Sequence, residues 1–140
     1  MTLSEIDNEL SSALQDARSA SWSVRAAAGR RLAGSAEEAG VADVLHQLLL
    51  DGQDTAVTRE TAEALLERGD ICGLRMVLVA LSSADDGTSD YLDGAINDVC
   101  CQSEEGLAQL EELSSVLVSD ADDSVSNEAS RILRVWGARR

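Results

Sequence analysis

Four stretches of this 140-residue chain align with one another without gaps, anchored at Val24, Val57, Tyr91 and Val125, which stand 33, 34 and 34 residues apart. A period of this size constrains the fold more than any other feature. One short unit cannot bury its own apolar face, so successive units must stack. Four positions after each anchor comes a small residue (Ala28, Thr61, Ala95, Ala129), and eight positions after it an aliphatic one (Leu32, Leu65, Val99, Leu133). Offsets of four and eight share one face of a helix, and a small residue in that face lets a neighbouring helix come close. Three positions before the anchors stand Ser21, Asp54, Thr88 and Asp122. All four are favoured N-cap residues, so each helix is expected to start there.

Second helices are expected between these, near residues 41–50, 73–81 and 106–118. Val41, Val44, Leu45 and Leu48 in one copy match Leu74, Val77, Leu78 and Leu81 in the next. The third copy keeps Leu107 and Leu110, then places Glu111 where leucines stood, with Leu113 and Leu117 resuming the stripe after a change of register. Gly34, Gly40, Gly69, Gly73 and Gly106 are assigned to the turns. An opening helix over residues 3–17, with Leu3, Ile6, Leu10, Ala13 and Leu14 on one face, is expected to cap the stack. Composition agrees: 44% of residues are apolar, mostly Leu, Ala and Val, aromatics are 2%, and Pro is absent. Such a chain favours closely packed helices without forced breaks. The expectation is one all-α domain over residues 1–140, with units near 1–17, 21–50, 54–82, 88–118 and 122–137.

Trp22-Ser23-Val24-Arg25-Ala26-Ala27-Ala28, followed by Leu32, resembles the first helix of a HEAT repeat. The stretch from Leu48 through Asp51, Gly52 and Asp54 to Val57 resembles the junction between two units of that family. Only the first copy keeps the family's Arg after the anchor; Thr58, Leu92 and Ser126 replace it, and the family's turn Pro is missing. The resemblance implies a right-handed α-solenoid of about four helical pairs, HEAT-like or armadillo-like, behind the capping helix. It also implies an inner face, built from the second helices, that often binds ligands.

Charge is the next constraint. The formal net charge is −15, from 26 acids against 11 bases, and every base is Arg. So acidic a surface repels nucleic acid and anionic lipid and attracts basic partners. Arg and Ala usage points to a high-GC bacterial genome. Residues 76–130 hold 13 acids and no base, among them Asp85, Asp86, Asp90, Asp93, Glu112, Asp120, Asp122 and Asp123. Caps and first-turn positions account for about half of these acids, since carboxylates there complement the helix dipole. The rest form an unbalanced acidic half suited to a partner. On the inner face, the exposed columns are expected to be Asp43, Met76 and Gln109 beside His46, Val79 and Glu112. Met76 and Val79 would then form an apolar centre with a polar rim, unless the central helix is simply more buried. Trp22 and Trp136 are expected to cover the two ends of the core.

No catalytic site emerges. His46 is the one histidine, and no HExxH, GxSxG, phosphate-binding or dinucleotide-binding glycine pattern occurs. Cys72, Cys100 and Cys101 make neither a CxxC nor an even framework, and no metal or cofactor is implied. Residues 1–14 carry Glu5, Asp7 and Glu9 and do not resemble a signal peptide, and the longest apolar run, residues 76–81, is too short to span a bilayer. A cytoplasmic, non-catalytic protein-binding module is therefore expected, of the acidic immunity or antitoxin type that covers a basic toxin. The alternatives are an assembly subunit docking through its inner face and a bilin-lyase-like enzyme using one of the cysteines.

Overall fold

The computed structural model describes the backbone over residues 3–137. Among these residues there are eight α-helices and no strand: α1 (Leu3–Asp16), α2 (Trp22–Leu32), α3 (Ala39–Leu49), α4 (Thr55–Glu67), α5 (Ile71–Ser83), α6 (Asp86–Cys100), α7 (Glu104–Leu117) and α8 (Asp123–Trp136). A single 3₁₀ turn, Ala33–Ser35, extends α2. The arrangement is an all-α bundle of packed helices, consistent with helical-repeat packing in general.

Local chemistry explains where the helices begin. Asp54 accepts a hydrogen bond from the Ala56 N–H, Asp70 and Ser103 from the third residue of their helices, and Asp122 from Ser124. Each satisfies one of the N–H groups that a helix start leaves without a partner. Ser21 stands at the start of α2 but makes no such bond; its hydroxyl meets Ser23 instead. Thr88 is not a cap. The helix starts a turn earlier because the Asp85 carboxylate accepts from the Thr88 N–H, and Asp outcompetes Thr at this position. Gly69 closes the turn between α4 and α5 at φ +69°, a conformation L-residues rarely adopt.

Helices α2, α4 and α6 lie side by side, and α3 and α5 pack behind them. The small residues foreseen at mid-helix are all fully buried: Ala28, Thr61 and Ala95 in α2, α4 and α6, and Ala129 in α8. The anchors behave less uniformly. Val57 and Val125 are buried, whereas Val24 and Tyr91 are exposed. In α2 and α6 the inward positions are shifted by one, to Arg25 and Leu92. The final helix departs from the pattern, packing mainly on α5 and α7. It is tied to α6 through the Arg131–Asp93 ion pair.

Three turn assignments are corrected. Gly40, Gly73 and Gly106 lie inside the first turns of α3, α5 and α7. At Gly73 a Cβ would stand 2.1 Å from the Leu65 carbonyl oxygen, and at Gly106 2.5 Å from that of Cys100. These glycines let the second helix of a pair start hard against the first. In α7 the inward positions are Leu110, Ser114 and Leu117, with Leu113 half-buried. Ser114 thus occupies a core position where α3 and α5 carry Leu48 and Leu81, and its hydroxyl has no hydrogen-bond partner. Trp136 is buried at the end of the core as expected, but Trp22 is 51% exposed, as are its neighbours Ser21, Ser23 and Val24 at the start of α2.

Candidate functional site

Twelve of the 13 acids of residues 76–130 divide into three groups, and the thirteenth, Glu111, is half-buried in α7. Asp85 and Asp122 are spent on capping. The Thr88 N–H holds the Asp85 carboxyl below its usual range. Asp93, Asp120 and Glu128 are taken by arginines from outside the stretch. Arg75 Nε donates to Asp120 at 2.9 Å, and Arg131 bridges Asp93 at 2.8 Å and Glu128 at 2.9 Å. The Arg75 hydrogen bond depresses the Asp120 carboxyl, which also accepts from the Asp122 N–H. Asp86, Asp90, Asp98, Glu104, Glu105, Glu112 and Asp123 form the third group. They are exposed and join no ion pair among the described residues.

The cause is visible in where the arginines go. Arg25 pairs with Asp51, Arg30 with Glu60 and Glu67, Arg31 with Asp16, Arg59 with Glu63, and Arg68 with Asp70 and Glu37. With Arg75 and Arg131 also engaged, seven arginines are held in place by the fold's own carboxylates. Asp86 and Asp90 follow each other at one turn's spacing on α6, and Glu104 and Glu105 open α7. The surplus negative charge is thus concentrated on the outward surfaces of the last three helices.

The inner-face candidates lie differently from their expected pattern. His46, Met76 and Val79 are half-buried, and both apolar residues pack against the core. Asp43, Gln109 and Glu112 are exposed, and the Gln109 amide donates to the Gly69 carbonyl. Met76 and Val79 thus pack against the core while keeping part of their surface open, whereas the third group of acids is exposed. The three cysteines are half-buried thiols that take part in no disulfide. Burial, reinforced by the neighbouring Cys101, pushes the Cys100 thiol up to about 11, and burial also raises Cys72. Thiols held in this way are weak nucleophiles at neutral pH. Among the described residues no group of three or more His, Cys, Asp or Glu side chains could hold a metal ion, and no helix is long and apolar enough to cross a membrane.

Sequence reasoning missed two polar features. One is the buried Arg25–Asp51 pair at the α3–α4 junction, although Arg25 follows an anchor. The other is a groove of about 680 Å³ bounded by Ala17, Arg18, Asp43, Gln47 and Gln53, continued by one of about 380 Å³ at Leu14, Arg18, Gly40 and Val44. No sequence signal marks a space between helices.

The chain matches no family model, no curated protein and no solved structure. Its function must therefore be argued from its own residues.

Proposed function

We propose that this chain is a HEAT-like α-solenoid acting as a non-catalytic protein-binding module, and that it engages a basic protein through the acids of α6, α7 and α8. One observation carries the reading. Seven of the described arginines are held in internal pairs and the other two, Arg18 and Arg134, pair with none of these acids, so Asp86, Asp90, Asp98, Glu104, Glu105, Glu112 and Asp123 are left exposed without a paired cation. Such a field accelerates encounter with an oppositely charged partner and disfavours like-charged ones. It also costs self-repulsion in the free protein, which a bound partner relieves. A short acidic scaffold of this kind suits the immunity or antitoxin role, covering a basic toxin such as a nuclease. That analogy rests on size and charge.

The test is affinity capture from the organism of origin, using the chain and a quadruple variant, Asp86→Asn, Asp90→Asn, Glu104→Gln and Glu105→Gln. The expected result is a basic protein held at low salt, released as salt rises and not retained by the variant. An acidic partner, or retention indifferent to salt and to the four substitutions, would refute the proposal. Loss of capture by Val79→Asp, with the quadruple variant unaffected, would instead identify the inner helical face as the docking surface.

A further inference from the structure

In a chain so rich in carboxylates, a guanidinium without one stands out. Arg18 is exposed just beyond α1 and forms no ion pair among the described residues. It is also the charged group common to the two adjoining grooves, of about 680 Å³ and 380 Å³. These run between the end of α1 and the length of α3. Both helices pack on α2, and the space between them is left open.

The lining defines what would fit. Leu14, Val44 and Leu50 are half-buried and offer apolar surface, and Gly40 adds no side chain, with open space where its Cβ would stand. The other charges are accounted for. Arg25 and Asp51 neutralise each other within the lining, and Asp43 stands exposed on the α3 wall. We propose that this groove receives an amphipathic helix of a partner protein, its apolar ridge lying on Leu14 and Val44 and one carboxylate pairing with Arg18. Asp43 then faces the basic side of that helix. The repulsion from the distant acids is screened beyond about 8–10 Å at physiological salt, so it does not prevent a single carboxylate from reaching Arg18. This surface is separate from the acidic one and requires the opposite charge at its centre.

A capped helix-forming peptide with a leucine ridge, one glutamate and one lysine, titrated into ¹⁵N-labelled protein, tests it. Amide shifts should change over residues 14–20 and 40–53. Arg18→Gln should weaken binding about fivefold, as expected for a partly shielded ion pair. Replacing the peptide's glutamate by glutamine should produce the same loss, with no further loss when both changes are combined. Gly40→Gln, which fills the groove without altering charge, should abolish binding. Arg134→Gln, at the other described arginine lacking an ion pair, should have no effect. Shifts falling on α6–α8, no binding at all, or equal effects of Arg18→Gln and Arg134→Gln would overturn the proposal. None of those outcomes bears on capture of a basic partner through the acidic surface.

Discussion

Arg25 and Asp51 form an ion pair at 2.9 Å in which both side chains are more than nine-tenths buried, at 8% and 9% exposure. The guanidinium also donates to the Ser19 and Ala20 carbonyls, and the carboxylate accepts from the Gln53 and Asp54 N–H groups. The pair therefore fastens the α1–α2 loop, α2 and the α3–α4 loop at one point. Truncating one partner strands the other's charge. Arg25→Ala and Asp51→Ala should each lower the unfolding free energy by about 3–5 kcal/mol, read from denaturant midpoints. A loss below about 1 kcal/mol would show that water reaches the pair.

Two glycines should respond to alanine in opposite directions. Gly73→Ala places a methyl 2.1 Å from the Leu65 carbonyl and forces α5 away from α4, which should cost about 1–3 kcal/mol. Gly94, inside α6, has open space around it, so Gly94→Ala should stabilise by about 0.5–1 kcal/mol. Thermal melts of the two variants check both signs.

Thr61 is fully buried where α2 and α4 meet, and its hydroxyl has no hydrogen-bond partner. Valine has the same shape without the polar oxygen. Thr61→Val should raise stability by about 1 kcal/mol, measured by chemical unfolding. Destabilisation would reveal a hydrogen bond to the hydroxyl.

The pH profile should have its maximum on the mildly acidic side. Burial, then the nearby Glu60, raises the Glu63 carboxyl, so at neutral pH this group opposes folding, and the penalty fades as pH falls through its raised folded value. Loss of net negative charge works in the same direction. Asp51 and Asp70 are depressed. For Asp51, burial pushes upward, but the Arg25 bond and two backbone N–H groups outweigh it; for Asp70 the Arg68 bond leads. Their contribution is complete above the ordinary aspartate value of about 3.9 and is lost as pH drops through their lowered folded values. Melting temperature should therefore rise on mild acidification from neutrality and collapse below about pH 4. In Glu63→Gln the initial rise should be smaller.

Period and composition were sufficient for the number and kind of elements. The in-phase small residues Ala28, Thr61, Ala95 and Ala129 reported which faces meet, because helix geometry turns a fixed spacing into a fixed direction. Asp54 and Asp122 marked helix starts because capping is a contact between residues two or three apart. Contacts between distant residues carried no such signal. That Arg75 and Arg131 reach 45 and 38 residues along the chain to quench Asp120 and Asp93 follows only from how α5, α6 and α8 pack. The same packing decided that Met76 and Val79 are half-buried, that Trp22 is exposed, that Gly73 marks a close approach rather than a turn, and that a groove opens beside Arg18. Local sequence sets backbone conformation and amphipathic direction; which charges remain free depends on distances between helices, which exist only after the stack has closed.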